Sequence, residues 1–235
     1  MSMRCADIKM RIFYDVDTQN DFMNKDGALY VPDAELIKPN SKLLTDFARE
    51  NLIPILGSVD KHFGILEYKD REGELQKWGG PFPKHCMANT KGQEKISETV
   101  WKTDLGWGEY RNLNMFIPHK LNNRVHFKDI NWNWNLVKNK QIYFEKQSYD
   151  VFTNPSFPAF LDMAGVREAV VYGVATDYCV KATVLGMQKK GIQCYVVEDA
   201  IKGVAPDTTK AALNEMAEAE AKLITTKGVL EGKLG

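Results

Sequence analysis

At 235 residues the chain is long enough to bury a full core, and it suits a single domain over 1–235, or one domain with a large insertion. Its 31 lysines and arginines balance 31 aspartates and glutamates, so no charged field points to nucleic acid or a membrane surface as a partner. No apolar run approaches the roughly 18 residues of a membrane span, and Met1–Lys9 is polar, without a secretory signal's apolar core. Cys5, Cys86, Cys179 and Cys194 have no tight spacing and no CxxC pair. A reducing compartment is expected, the cytoplasm by default.

The first expected element is a strand over Met10–Val16, where Ile12, Phe13, Tyr14 and Val16 are nearly continuous, as in a strand covered on both faces. It runs into Asp17-Thr18-Gln19-Asn20-Asp21-Phe22. A helix begins near Pro39, a favourable first-turn residue, with Leu43, Leu44, Phe47 and Ala48 on one side. A second strand, Ile53–Val59, ends at Asp60-Lys61-His62. Residues 63–93 are loop-rich, broken by Gly79-Gly80-Pro81 and Pro83, and contain Phe82-Pro83-Lys84-His85-Cys86. Residues 101–140 hold Trp101, Trp107, Trp132 and Trp134 without a clean period. They read as a loop-rich insertion over an aromatic satellite core.

A third strand, Gln141–Glu145, ends at Lys146, and a short helix over Ser156–Ala164 stops at Gly165. The fourth strand, Ala169–Val174, breaks at Gly173–Thr176 and becomes helical through about Lys190, with Gly191 as the stop. Thr176 or Asp177 is the expected cap. Gln193–Val197 is a fifth strand, Pro206–Ala219 a helix and Lys222–Thr225 a sixth strand. Gly27 and Gly203 read as turn glycines. Strands alternating with helices predict an α/β fold, a doubly wound, mainly parallel six-stranded sheet with helices on both faces.

Ligands of such sheets bind beyond the carboxyl ends of the strands. Those ends collect Asp17, Asp60, His62, Lys146 and Cys179. Taken alone, each has a bland reading: a turn acid, a solvated lysine, a packed thiol. Together they make chemical sense. Cys179 in the first turn of a helix sits where the dipole favours thiolate, Lys146 supplies a cation, and Asp17 can move the thiol proton. Unpaired amides of that turn can hold an oxyanion. Asp60 and His62 point the same way on extended chain, and His85 is a candidate third ligand. One carboxylate and two imidazoles suit Zn, Fe(II) or Mn with open positions. Glu67 or Asp70 is a weak candidate for a further ligand. Cys86 reads as a packed thiol, and His119 and His126 as ordinary polar residues. Phe22 and Phe82 can flank a flat ring or pack in the core.

These segments, with Tyr149-Asp150-x-Phe152 after Lys146 and Val197-Glu198-Asp199-Ala200 after the Cys179 segment, come in an order that resembles the isochorismatase-like cysteine hydrolases. Asp60-x-His62 with His85 is similar to the nicotinamidase branch in particular. The resemblance covers most of the chain except residues 101–140. It implies hydrolysis of nicotinamide to nicotinate and ammonia through a Cys179 thioester, and so a role in NAD salvage and pyridine nucleotide biosynthesis. Asp17 would be the base and Lys146 the stabilising cation. The amides of Ala175 and Cys179 would be the oxyanion donors, with a cis peptide between Val174 and Ala175. One divalent metal, Zn ahead of Fe or Mn, would sit on Asp60, His62 and His85, with Phe22 and Phe82 against the substrate ring. Other readings stay open: an amidase of the same chemistry acting on another small amide, ureido or carbamoyl compound, or a non-catalytic ligand-binding member of the fold. The expected partner is a small-molecule amide, with a homo-oligomer left open.

Overall fold

The computed structural model describes residues 10–101, 114–118 and 141–234. Within them a parallel sheet is built from β1 (Met10–Val16), β2 (Ile55–Asp60), β3 (Asn114–Ile117), β4 (Gln141–Lys146), β5 (Val166–Val174), β6 (Gln193–Lys202) and β7 (Lys222–Ile224). The spatial order is β3-β4-β2-β1-β5-β6-β7, and every neighbouring pair is parallel. β2 and β4 are buried along their whole length, and β5 everywhere except Arg167. That burial explains why their sequences read as continuous apolar runs rather than alternating ones.

Helices cover both faces. On one, Tyr14, Val16, Ile142 and Phe144 pack against Phe157 and Phe160 of the helix Ser156–Ala164 and Val184 and Met187 of the helix Lys181–Lys189. Phe157 is the pivot of this face, with ring centroids 5.0 Å from Phe144, 4.9 Å from Phe152 and 5.4 Å from Tyr14. Truncating such a residue costs about 3–5 kcal/mol. On the other face, Phe13, Ile55, Val170 and Tyr172 pack against Leu44 and Ala48 of the helix Lys38–Glu50, with Trp101 and Val229.

The sheet has seven strands where six were expected. The additional one, β3, pairs with β4 from Asn114↔Gln141 to Ile117↔Phe144 and falls within the stretch read as a loop-rich insertion. Four residues are too few to display a period. Trp107, Trp132, Trp134, His119 and His126 lie outside the described residues. β5 starts three residues before its expected position, and β6 runs on to Lys202, after the pairing with β5 shifts register between Val171 and Gly173.

Neither expected residue caps the helix after β5. The chain makes one π-helical turn over Thr176–Val180 and then the α-helix, with Ala175 in the cap position and no side-chain cap. The Asp177 carboxylate instead accepts from the amides of Val204 (3.0 Å) and Ala205 (3.3 Å) and from the Thr208 hydroxyl. It thereby satisfies donors at the start of the helix Pro206–Glu218, which has no side-chain cap of its own. Gly203 permits this approach: a Cβ there would lie 1.9 Å from Thr209 Oγ1 and 3.1 Å from Asp177 Oδ1. Among the described residues, no helix is long and apolar enough to cross a membrane.

Candidate active site

Four chain segments converge at the carboxyl edge of the sheet. Asp60 and Lys146 are the last residues of β2 and β4 and are register partners, so their side chains start side by side on one face. Asp17 follows β1 with φ of 46°, a left-handed conformation that Asp tolerates better than most residues. Cys179 lies in the π turn after β5. Gly173 makes this junction possible, with φ of 119° and the Val16 carbonyl oxygen 2.0 Å from where a Cβ would be. The peptide between Val174 and Ala175 is cis, and the amides of Tyr178 and Val180 both donate to the Ala175 carbonyl at 3.1 Å.

Lys146 joins these parts. Its ammonium is fully buried and lies 2.8 Å from Asp17 Oδ2, in contact with Asp60 Oδ1, and 3.5 Å from Cys179 Sγ. A buried ammonium costs several kcal/mol unless it is well paired. Burial pushes the Lys146 pKa down, but Asp17 and Asp60 outweigh it and hold the group well above the ordinary lysine value. Burial raises the Asp17 carboxyl, and Lys146 only partly offsets that rise. Burial would raise Asp60 as well, yet Lys146 and the two imidazoles keep it well below the usual carboxylate range. Burial also lifts the Cys179 thiol far above its ordinary value, more than Lys146 lowers it, with Asp17 and Asp60 adding to the rise. Cys179 is 7% exposed, so burial and the neighbouring carboxylates oppose the thiolate-favouring effect expected of a helix start, while Lys146 works with it. Neither Asp17 oxygen has a well-aligned hydrogen bond among the described residues, so this acid retains accepting capacity beside the thiol.

His62 and His85 stand next to this group, with ring centroids 4.6 Å apart. His85 Nε2 lies 3.5 Å from Asp60 Oδ2 and 3.7 Å from Glu74 Oε1, and His62 Nε2 is 3.2 Å from Glu74 Oε1. One ligand atom from each of Asp60, His62, Glu74 and His85 lies within 4.8 Å of the others. Two observations fit a metal ion here. Neither buried ring nitrogen of His62 has a well-aligned hydrogen bond among the described residues, a costly state for a polar group without a ligand. His85 Nδ1 lies 2.8 Å from the Pro83 carbonyl, which fixes the proton on Nδ1 and aims the Nε2 lone pair at the cluster. Glu74 was not singled out from the sequence, whereas Glu67 and Asp70 are exposed and outside the cluster. Glu74 gets there because its loop is pinned around it: its carbonyl accepts from Phe82 N at 3.0 Å and its Oε2 from Tyr149 N at 3.0 Å. Cys86, expected as a packed thiol, is fully buried.

Beside Cys179 lies a cavity of ≈ 70 Å³ whose walls include Phe22, Phe82, Tyr149, Tyr178, Leu29 and Val204. Asp60, Glu74, His85 and Ala175 also reach it. Phe82 meets Tyr178 edge-on at 5.5 Å. Phe22 and Phe82 thus line a cavity rather than only filling core.

A parallel sheet covered by helices on both faces, whose strand ends bring a thiol, an acid and a buried cation to one narrow cavity, makes this an α/β protein with the parts of an enzyme site. A family profile for the Isochorismatase domain matches residues 15–228. The nicotinamidase of Escherichia coli is 28% identical over 223 residues, covering 89% of this chain and 92% of that protein. The nicotinamidase/pyrazinamidase of Mycobacterium tuberculosis is 25% identical over 222 residues, with 92% and 98% covered. The zinc complex of the Pyrococcus horikoshii pyrazinamidase matches with a TM-score of 0.67 and 27% identity, over 92% of this chain and 99% of that one. The chain belongs to the isochorismatase family and is a hydrolase of that family.

Proposed function

We propose that this chain is a metal-dependent cysteine amidase that hydrolyses nicotinamide to nicotinate and ammonia. The observation that carries the reading is the single ammonium of Lys146 meeting Asp17, Asp60 and Cys179 at one end of an aromatic-walled cavity. The relatives named above, nicotinamidases and pyrazinamidases, support the substrate class.

Asp17 takes the Cys179 proton as sulfur attacks the amide carbon, and Lys146 stabilises the charges this step creates. The amides of Ala175 and Cys179 hold the oxyanion. Asp17 then gives the proton to the departing nitrogen, ammonia leaves, and Cys179 carries a thioester. Asp17 next accepts a proton from water as it attacks the thioester carbon, and returns it to sulfur as nicotinate leaves. A raised Asp17 carboxyl suits both directions of transfer, because a group that must accept and then donate a proton works best when its affinity is nearer the operating pH. Phe22 and Phe82 orient the ring. Asp60, His62, Glu74 and His85 would hold one divalent ion, zinc ahead of iron or manganese, which supplies a Lewis-acid anchor when bound. The three described cysteines are unpaired, which leaves the Cys179 sulfur available for this chemistry.

The test is ammonia release from millimolar nicotinamide with Zn²⁺, Fe²⁺ or Mn²⁺ supplied, and nicotinate identified by chromatography. Absence of turnover with all three metals sinks the nicotinamide reading. Turnover of a ureido or carbamoyl compound instead would keep the thiol chemistry and change the substrate.

A further inference from the structure

The segment Asp17-Thr18-Gln19-Asn20-Asp21-Phe22 supplies a base and a cavity wall to the reading above and leaves Gln19 without a part. Gln19 is completely buried, and its side-chain amide lies along the last peptide groups of β2. Asp60 N donates to Gln19 Oε1 at 2.7 Å, and Gln19 Nε2 donates to the Asp60 carbonyl at 2.8 Å and to the Gln93 carbonyl at 2.7 Å. The backbone amide of Gln19 donates to the Asp17 carbonyl at 2.6 Å.

This arrangement answers a problem set by the sheet. The last register pair between β1 and β2 is Val16↔Ser58, and the ladder ends with Asp17 N donating to the Ser58 carbonyl at 3.2 Å. Residues two apart on a strand turn their main-chain groups to the same neighbour, so those of Asp60 face the side where β1 has already stopped. A buried amide and carbonyl without partners would be costly. The Gln19 side chain presents one acceptor and one donor at the spacing of a peptide group, as a further β1 residue would.

We infer that Gln19 is a positioning residue that stands in for the missing strand and fixes the direction of the Asp60 side chain. Asp60 has to divide its carboxylate, Oδ1 on Lys146 and Oδ2 towards His62 and His85. At an unpaired strand end it would be free to turn between these partners. With Gln19 in place, the thiol–lysine site and the imidazole site keep a common carboxylate in one orientation. The metal arm of this inference rests on the proposed function, whereas the clamp on the Asp60 peptide does not.

The experiment compares the full-length wild type with Gln19→Met, which keeps length and removes both hydrogen-bonding groups. Metal-stripped protein is titrated with Co²⁺ and followed by visible absorption, and amide hydrogen exchange is read at Asp60 and along Ile55–Val59. Gln19→Met is expected to bind Co²⁺ about 10–100-fold more weakly, with an altered absorption band. The Asp60 amide is expected to exchange about tenfold faster or more while Ile55–Val59 keep their protection. A purely structural defect would instead speed exchange along the whole strand and leave the bound-cobalt band unchanged, and that result overturns the inference. Native exchange at Asp60 also overturns it. If Gln19→Met does not fold, Gln19→Glu keeps the acceptor for Asp60 N, loses the donor, and is expected to weaken Co²⁺ about tenfold; wild-type affinity and an unchanged band in that variant overturn the inference. If the wild type itself binds no Co²⁺, the metal reading fails, and Asp60 exchange alone decides the clamp.

Discussion

Asp15 and Asp17 are two residues apart at the end of one strand, and each meets a buried lysine, yet the two pairs lie on opposite faces of the sheet. Asp15 follows the strand alternation onto the face of Phe13 and Tyr172. There Lys95 lies 2.8 Å away, the Thr18 hydroxyl donates at 2.8 Å, and the Lys95 ammonium sits 4.5 Å from the centre of the Tyr143 ring. Asp17 leaves the alternation through its positive φ and turns to the other face, where Lys146 serves two carboxylates and the thiol. The lysines respond in opposite senses. Burial wins over a single nearby carboxylate contact at Lys95 and holds its ammonium below the ordinary value, while at Lys146 two carboxylates win over burial. The difference teaches that a buried ion pair is not itself a sign of catalysis. What distinguishes the second pair is a thiol within reach and a cavity beside it.

The strongest way to break this comparison is to disable each side in turn. Cys179→Ala and Asp17→Asn are each expected to lower amide turnover by about 10⁴-fold or more, with circular dichroism melts close to wild type. Near-native turnover in either variant would remove the role assigned to it. His62→Ala should take bound zinc, measured by elemental analysis, well below one ion per chain, and Glu74→Gln should weaken affinity by roughly tenfold; unchanged stoichiometry in His62→Ala refutes the ligand set. Asp15→Asn should do the reverse of Asp17→Asn. It leaves Lys95 buried without its carboxylate and costs about 3 kcal/mol in a urea melt, while turnover per folded molecule stays within about tenfold of wild type.

The smallest effect is a matter of pH. Lys95 has a folded pKa below its unfolded one, so between the two the unfolded chain binds more protons, and stability rises with pH through that window. Lys146 has a raised folded pKa, so its contribution is complete below the ordinary lysine value and is lost as pH climbs through the folded one. Urea melts should therefore lose an upward component below the ordinary lysine value in Lys95→Met and a downward one above it in Lys146→Met. The same trend in both variants would show that the two pairs are equivalent after all.

How much of this could be read from the chain follows the same physical divide. Strand runs such as Val170-Val171-Tyr172 declare themselves because burial on both faces demands continuous apolar character, and residues at their ends then fall at one edge. Asp17, Asp60, His62, Lys146 and Cys179 were legible in that way. Glu74 was not. It reaches the imidazoles only because Phe82 and Tyr149 hold its loop through main-chain amides, and such bonds leave no trace in residue type. The trans cap by Asp177 escaped for a related reason: Asp at a helix start suggests a local acceptor, whereas its donors come from 27 to 31 residues later. The strand Asn114–Ile117 was too short to carry a pattern, and the thiol's direction of titration depended on burial, which spacing does not report.

That trans cap has a practical consequence. Asp177 sits two residues before Cys179 and grips the main chain of Val204 and Ala205, and Val204 is among the residues lining the cavity. The grip involves only amides and one hydroxyl, so it is indifferent to what side chain position 204 carries. Substitutions at residue 204 are therefore expected to reshape the cavity wall without removing the main-chain bonds to Asp177, so that Cys179 stays in register.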